Sequence, residues 1–191
     1  MLKLGKLEKI DDLRTIWPHE AQNFTKWLAQ EENLGLLSET IGIELVLEER
    51  ESSVGDFSAD LYASEEGTGR KVIIENQLED TNHDHLGKII TYASGKNAEV
   101  VVWIVKRARD EHRQAIEWLN QHTDEKIGFF LLEIELWRID ESSPAPKLAA
   151  AKTVRTFSAG QWSICKRTAA PPPFWKTPIT PLTPPNRTVF R

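Results

Sequence analysis

The sequence predicts an α/β fold: a mixed central β-sheet flanked by helices, its core elements running in the order αβββαβ. Three observations carry that reading. Residues 57–63 alternate apolar and polar, as a half-buried strand does; AEVVVWIVK (residues 98–106) holds a continuous apolar run from Val100 to Val105, as a strand covered on both faces does; and segments with helical spacing stand between such runs.

Taken in order, residues 7–12 read as a short edge strand or extended arm. IWPHEAQNFTKWLAQ follows, with Pro18 suited to a first helical turn and Ala21, Phe24, Trp27 and Leu28 on one face. Its aromatic residues read as core, not as a platform for bases. A second helix is expected over 34–41, closed by Gly42. Residues 43–50 alternate as a strand with Ile43, Leu45 and Leu47 inward.

The stretch from Val54 to Gly95 holds most of the chemistry. Alternation puts Phe57, Ala59, Leu61 and Ala63 on one face and turns Asp60 to the other. Glu65 to Arg70, with Gly67 and Gly69, is a hairpin connection. In the next strand, Lys71 to Leu78, Glu75 and Gln77 leave the same face about 7 Å apart. If the two strands pair antiparallel, Asp60 and Glu75 lie side by side. Carboxylates that close repel, and a shared proton or a bound cation relieves them. Mg²⁺ (or Mn²⁺) suits such a pair, since it takes oxygen ligands and keeps waters; two carboxylates and a backbone carbonyl leave positions for a phosphate and an attacking water.

A helix follows, with Thr81 and Asp84 at the spacing of an approximate capping box, and Leu86, Ile89, Ile90 and Ala93 as its buried face. His85, Lys88 and Tyr92 form a separate stripe. After the apolar strand, RDEHRQAIEWLNQ reads as a helix with Ala115, Ile116 and Leu119 inward, and IGFFLLEIELWRI as a strand with Glu133 and Glu135 together on a solvated face. Pro144 and Pro146 lead into a short strand at 147–153.

Asp60, a connection, Glu75-Asn76-Gln77 at the end of an apolar strand, and a helix together resemble the PD-(D/E)XK nuclease superfamily. The run FSAD, IIENQLE, HLG and TYA, over about forty residues, resembles a bacterial branch of it. The resemblance implies a restriction-endonuclease-like core in residues 1–155 and a metal-dependent nuclease acting on nucleic acid, DNA in the first place. It implies that Asp60, Glu75 and the backbone carbonyl of Asn76 hold the metal, and that Gln77 occupies the position of the motif lysine. An amide can orient water but brings no charge. Lys88 and Tyr92 match a Gln and a Tyr four apart on this helix in RecB-type members, and Lys88 is the candidate for the missing charge. Glu39 is the best positional match for an acidic residue brought in by the first core helix, with Glu44 and Glu48 nearby; His85 is a further candidate for the pocket. A catalytically inactive nucleic-acid-binding module and a protein-interaction domain are the alternatives.

Composition sets bounds on these readings. Forty per cent of the 191 residues are hydrophobic, enough for a packed core, and the single cysteine, Cys165, allows neither an intrachain disulfide nor a cysteine-based zinc site. No signal peptide or spanning segment is read, so a cytoplasmic protein without membrane contact is expected. The net charge of −5 is uneven: −13 through Glu141 and +8 beyond it. An acidic main domain repels nucleic acid, so a nuclease needs a local basic surface, for which Lys106, Arg107, Arg109 and Arg113 are candidates.

From Thr168 the composition changes, with seven of the ten prolines and no acidic residue, so residues 156–191 read as a proline-rich tail, polyproline II or disordered, that can recruit a partner. A linker or a truncated end, beyond which the resembled branch continues into a further domain, both fit it. His83-Asp84-His85 lacks a convincing fourth zinc ligand, His112 and His122 show no partner pattern, and neither a phosphate-cradling GxxxxGK loop nor a nucleophile elbow is present. Monomer and homodimer are both left open.

Overall fold

The computed structural model describes residues 4–55, 57–151, 155–158 and 161–164. The apolar run lies at the centre: β5 (Val100–Arg107), with Val100 to Val105 buried, pairs in parallel with β4 (Lys71–Asp80) on one side and β6 (Gly128–Ile139) on the other. Parallel neighbours need crossovers, and helices α3 (His83–Lys96) and α4 (Asp110–His122) supply them. From β4 the sheet continues antiparallel through β3 (Phe57–Glu65) to β2 (Leu45–Val54). Beyond β5, the far half of β6 pairs with β1 (Leu7–Ile10) along one edge and β7 (Ala145–Ala150) along the other, both antiparallel. The sheet is therefore mixed, as the sequence led us to expect, and it has seven strands.

Each face of the sheet has its own core. Leu61, Ala63, Val72, Ile74, Val102 and Ile104 pack against the N-terminal helical segment, which brings Phe24, Leu28, Leu37 and Ile41. On the other face Ile73, Val101, Trp103 and Leu131 meet Ile89 and Tyr92 of α3 and Ile116 of α4. Helix α2 (Glu31–Ile41) ends at Gly42 in the left-handed conformation (φ 71°), which glycine adopts without steric cost.

Several expectations are corrected. The first helix is not continuous. A 3₁₀ turn at Leu13–Thr15 is followed, after Pro18, by a π-helical turn at Glu20–Phe24 and then by α1 (Thr25–Leu28). The wider turn arises because both the backbone N–H and the hydroxyl of Thr25 donate to the Glu20 carbonyl. The extra residue rotates the buried face, so Ala21 is exposed while Phe24, Thr25 and Leu28 are buried. Trp17 joins them, its ring 4.8 Å from those of both Phe24 and Trp27. In α3, the N-cap is Asn82, whose side chain accepts the His85 N–H at 2.9 Å; Thr81 instead accepts the Arg109 N–H. The buried stripe of α3 runs through Ile89, Tyr92 and Ala93, leaving Ile90 exposed. Glu133 and Glu135 are half-buried in ion pairs and not freely solvated: Glu133 is bound by Arg113 and the Ala108 N–H, each at 2.8 Å, and Glu135 by Lys9 at 2.6 Å. The expected tail boundary falls at β8 (Arg155–Ser158), which pairs with β9 (Gln161–Ile164); the proline-rich segment lies outside the described residues.

Helix α3 carries two glycines with opposite expectations. A Cβ at Gly95 would stand 2.5 Å from Cγ1 of Val54, a stiff β-branched side chain, whereas one at Gly87 meets nothing within 4 Å. Gly87→Ala is expected to stabilise the fold by up to about 1 kcal/mol through helix propensity. Gly95→Ala makes the same gain but overpacks at about 1–3 kcal/mol, a net loss. Urea unfolding midpoints that move in opposite directions would bear this out, and equal shifts would contradict it.

Candidate active site

The site forms where β3 leaves β4. The two strands pair in register from Ser64↔Lys71 to Leu61↔Ile74 and no further. On the other side of β3, Glu51 takes a left-handed conformation (φ 52°), and the pairing with β2 skips from Arg50↔Leu61 to Ser52↔Ala59. Asp60 sits in the gap opposite Glu51. This irregularity breaks the alternation read from the sequence: Leu61 and Ala63 belong to the first core, but Ala59 lies in the second. The side chain of Phe57 lies outside the described residues.

Departure of β3 frees one edge of β4, and carboxylates take over its N–H groups. The Asn76 N–H donates to Oδ2 of Asp60 at 2.8 Å, and the Asn76 side-chain amide donates to the same oxygen. Asn76 is itself tied to Thr25: its side-chain amide donates to the Thr25 hydroxyl oxygen at 3.2 Å, and that hydroxyl donates to the Glu20 carbonyl. Two residues on, the Leu78 N–H donates to Oε2 of Glu20 at 3.2 Å. Glu20 is further held by Arg14, which also reaches Glu79, each at 3.2 Å. Since the N–H and C=O of a strand residue point to the same edge, the Asn76 carbonyl faces this gap too.

Glu75 lies on the α3 side, its side chain 5% exposed. Its Oε2 is buried with no hydrogen-bond partner. Burial first, and then the charge of Asp60, push the Glu75 carboxyl up to about 8. The Asp60 carboxyl is likewise raised, by burial first and then by Glu20, against the pull of the Asn76 hydrogen bonds and of Lys88. Tyr92, buried, is raised by burial and by the charges of Glu75 and Asp60. Nε2 of His85 stands 4.0 Å from Oε1 of Glu75, and burial together with Lys88 draws this imidazole below its usual value, so it is neutral at pH 7.

Thus Asp60, Glu75, Asn76, His85, Lys88 and Tyr92 converge on one gap. Gln77 is buried beside them, but its amide nitrogen is spent on the Asp80 carbonyl at 2.7 Å; its Oε1 is buried without a partner. Glu39 is exposed on α2, and the acidic residue that the N-terminal helical segment brings to the gap is Glu20. The sequence signal for Glu20 was its place in the first turn after Pro18. His112 also gains a partner that spacing could not reveal: its Nε2 lies 3.0 Å from Nδ1 of His83.

The donor set bears on a metal. Among the described residues no three His, Cys, Asp or Glu side chains cluster as a self-sufficient metal site. Two raised carboxyls, an orphaned carboxylate oxygen and a main-chain carbonyl directed at the same gap nevertheless fit a hard divalent cation that completes its shell with water.

No protein-family model and no curated protein matches the chain significantly. Among solved structures, the chain is similar to the EndoMS–dsDNA2 complex, at 15% identity and a TM-score of 0.40 over 55% of this chain and 44% of that one. It is also similar to a repair endonuclease from Pyrococcus abyssi, at 14% identity and a TM-score of 0.38 over 55% and 47%. The chain spans less than half the length of either. Among the described residues no helix is long and apolar enough to cross a membrane.

Proposed function

We propose that the protein is a divalent-metal-dependent nuclease that hydrolyses phosphodiester bonds in nucleic acid, with DNA its first-choice substrate. The observation that carries this reading is the buried, unpartnered Oε2 of Glu75 beside a second raised carboxyl, an arrangement that costs stability and that a bound cation would relieve. Asp60, Glu75 and the Asn76 carbonyl would hold Mg²⁺ or Mn²⁺. The cation would supply charge to the phosphate and lower the pKa of the attacking water.

The protein's own groups do the rest. Asn76 fixes Asp60 through two hydrogen bonds and is itself anchored to Thr25, which sets the carboxylate before substrate arrives. Oε1 of Gln77 is free to accept a hydrogen bond from the attacking water and so to orient it. Lys88, whose charge already reaches both carboxyls, faces the charge that develops on the phosphate, and the Tyr92 hydroxyl is a neutral donor beside it. Neutral His85 can take a proton from that water.

Purified protein is expected to nick or linearise plasmid with Mg²⁺ or Mn²⁺, and Asp60→Ala and Glu75→Ala each to abolish this. Equal cleavage by all three would trace the activity to a contaminant. A second reading, a module that binds nucleic acid without cutting it, is favoured by the neutral Gln77 where a lysine would bring charge. Tight DNA binding with no uptake of Mn²⁺ would establish that one.

A further inference from the structure

We propose that the cleft between β1 and the carboxyl ends of β4 and β5 is a phosphate-backbone subsite, which takes the nucleic-acid strand away from the carboxylate gap. It deepens the nuclease reading and rests on it for the choice of ligand. The cleft is lined by the cations Lys9, Lys106, Arg107 and Arg113, drawn from β1, β5 and α4, against Asp11, Asp80 and Glu133. Four cations to three anions in the lining, with Lys106 unpaired among the described residues, is a local excess of positive charge in a chain that carries −13 through Glu141. It also lies where ligands of parallel sheets bind, outside the carboxyl ends of the strands.

The cations differ in availability. Arg113 is committed to Asp110 and Glu133, each at 2.8 Å, and Lys9 to Glu135 at 2.6 Å, so these two set the wall. The Arg107 guanidinium is held by Asp80 yet is 68% exposed, a planar fork that can face a phosphate while its partner steadies it. Lys106 is exposed and has no ion-pair partner among the described residues.

Continuity with the candidate active site runs along β4. Asp80, on the cleft wall, follows Glu75 by five residues, about 16 Å of extended strand, and the Gln77 amide joins the two by its bond to the Asp80 carbonyl. At about 3.4 Å per nucleotide this is roughly four or five nucleotides, so one strand can have a phosphodiester at the carboxylates and another in the cleft.

The test is binding of a fluorescein-labelled single-stranded oligonucleotide to the full chain in EDTA, by anisotropy across a salt series. Lys106→Glu is expected to weaken binding about tenfold and to lower the slope of log affinity against log salt by about 0.7. Lys126→Glu makes the same charge change just before β6, at the opposite end of the parallel strands, and is expected to bind as the native chain does. Thermal melts of both variants confirm the fold. Equal weakening by the two substitutions would reduce the effect to bulk charge and overturn the subsite, as would no binding by the native chain at low salt. Binding in EDTA and plasmid cleavage in Mn²⁺ separate the two readings: a native chain that binds with the expected dependence on Lys106 but does not cut keeps the subsite and overturns the nuclease.

Discussion

Glu75→Gln is expected to make the metal-free protein harder to unfold above pH 8, while plasmid cleavage falls on the order of a thousandfold. Both effects have one cause. In the unfolded chain this carboxyl titrates near 4.5; in the fold, burial and Asp60 push it up to about 8. A group whose pKa is raised by folding binds its proton more tightly in the folded state, so its contribution to stability is fully present below 4.5 and is lost as pH rises to about 8. That span corresponds to up to about 5 kcal/mol. Glutamine has nearly the same shape and never ionises, so the variant escapes the loss. Urea unfolding in EDTA at pH 5 and pH 9 reads it directly. The native protein should weaken strongly between the two, and Glu75→Gln much less. A variant less stable than the native chain at pH 9 would mean that the Glu75 carboxylate is satisfied in the fold, and the case for a cation would go with it.

The parts legible in the sequence are those set by neighbours in the chain. Val100 to Val105 read as a strand covered on both faces because their apolar character admits no solvated side, and Gly42 marked the end of α2 by its freedom at positive φ. Asp60 and Glu75 were singled out from type and spacing, Lys88 and Tyr92 through the family resemblance, and the charges of the first three and the hydroxyl of the fourth act on one another in the fold. What could not be read is what depends on residues far apart in the chain. The break between β3 and β4 at Asp60 arises opposite Glu51, and Asp60 is fixed by Asn76 and, through it, by Thr25. Glu20 reaches the gap because a π-helical turn, formed when Thr25 bonds to the Glu20 carbonyl, redirects the first turn after Pro18. Glu133 and Glu135 alternate as solvated residues do, but Arg113 of α4 and Lys9 of β1 cover them. Alternation tells which residues share a face, not what lies on it.

Affinity for Mn²⁺ is expected to rise about tenfold for each pH unit below about 8 and to level off above it. The cation and the proton compete for the same oxygens. At pH 7 the Glu75 carboxyl is mostly protonated, so each bound ion must expel close to one proton, and the apparent affinity carries that cost. Isothermal titration in buffers of different ionisation enthalpy counts the protons released: near one at pH 7, near none at pH 9. Lys88 supplies the check on sign. Its charge lowers the pKa of both Asp60 and Glu75, so Lys88→Met raises both and should move the whole affinity curve to higher pH. An affinity that does not change between pH 6 and pH 9 would place the ion elsewhere. A curve that still levels off near 8 in Lys88→Met would show that the lysine does not act on the carboxylates. Lys88 would then act on the phosphate alone.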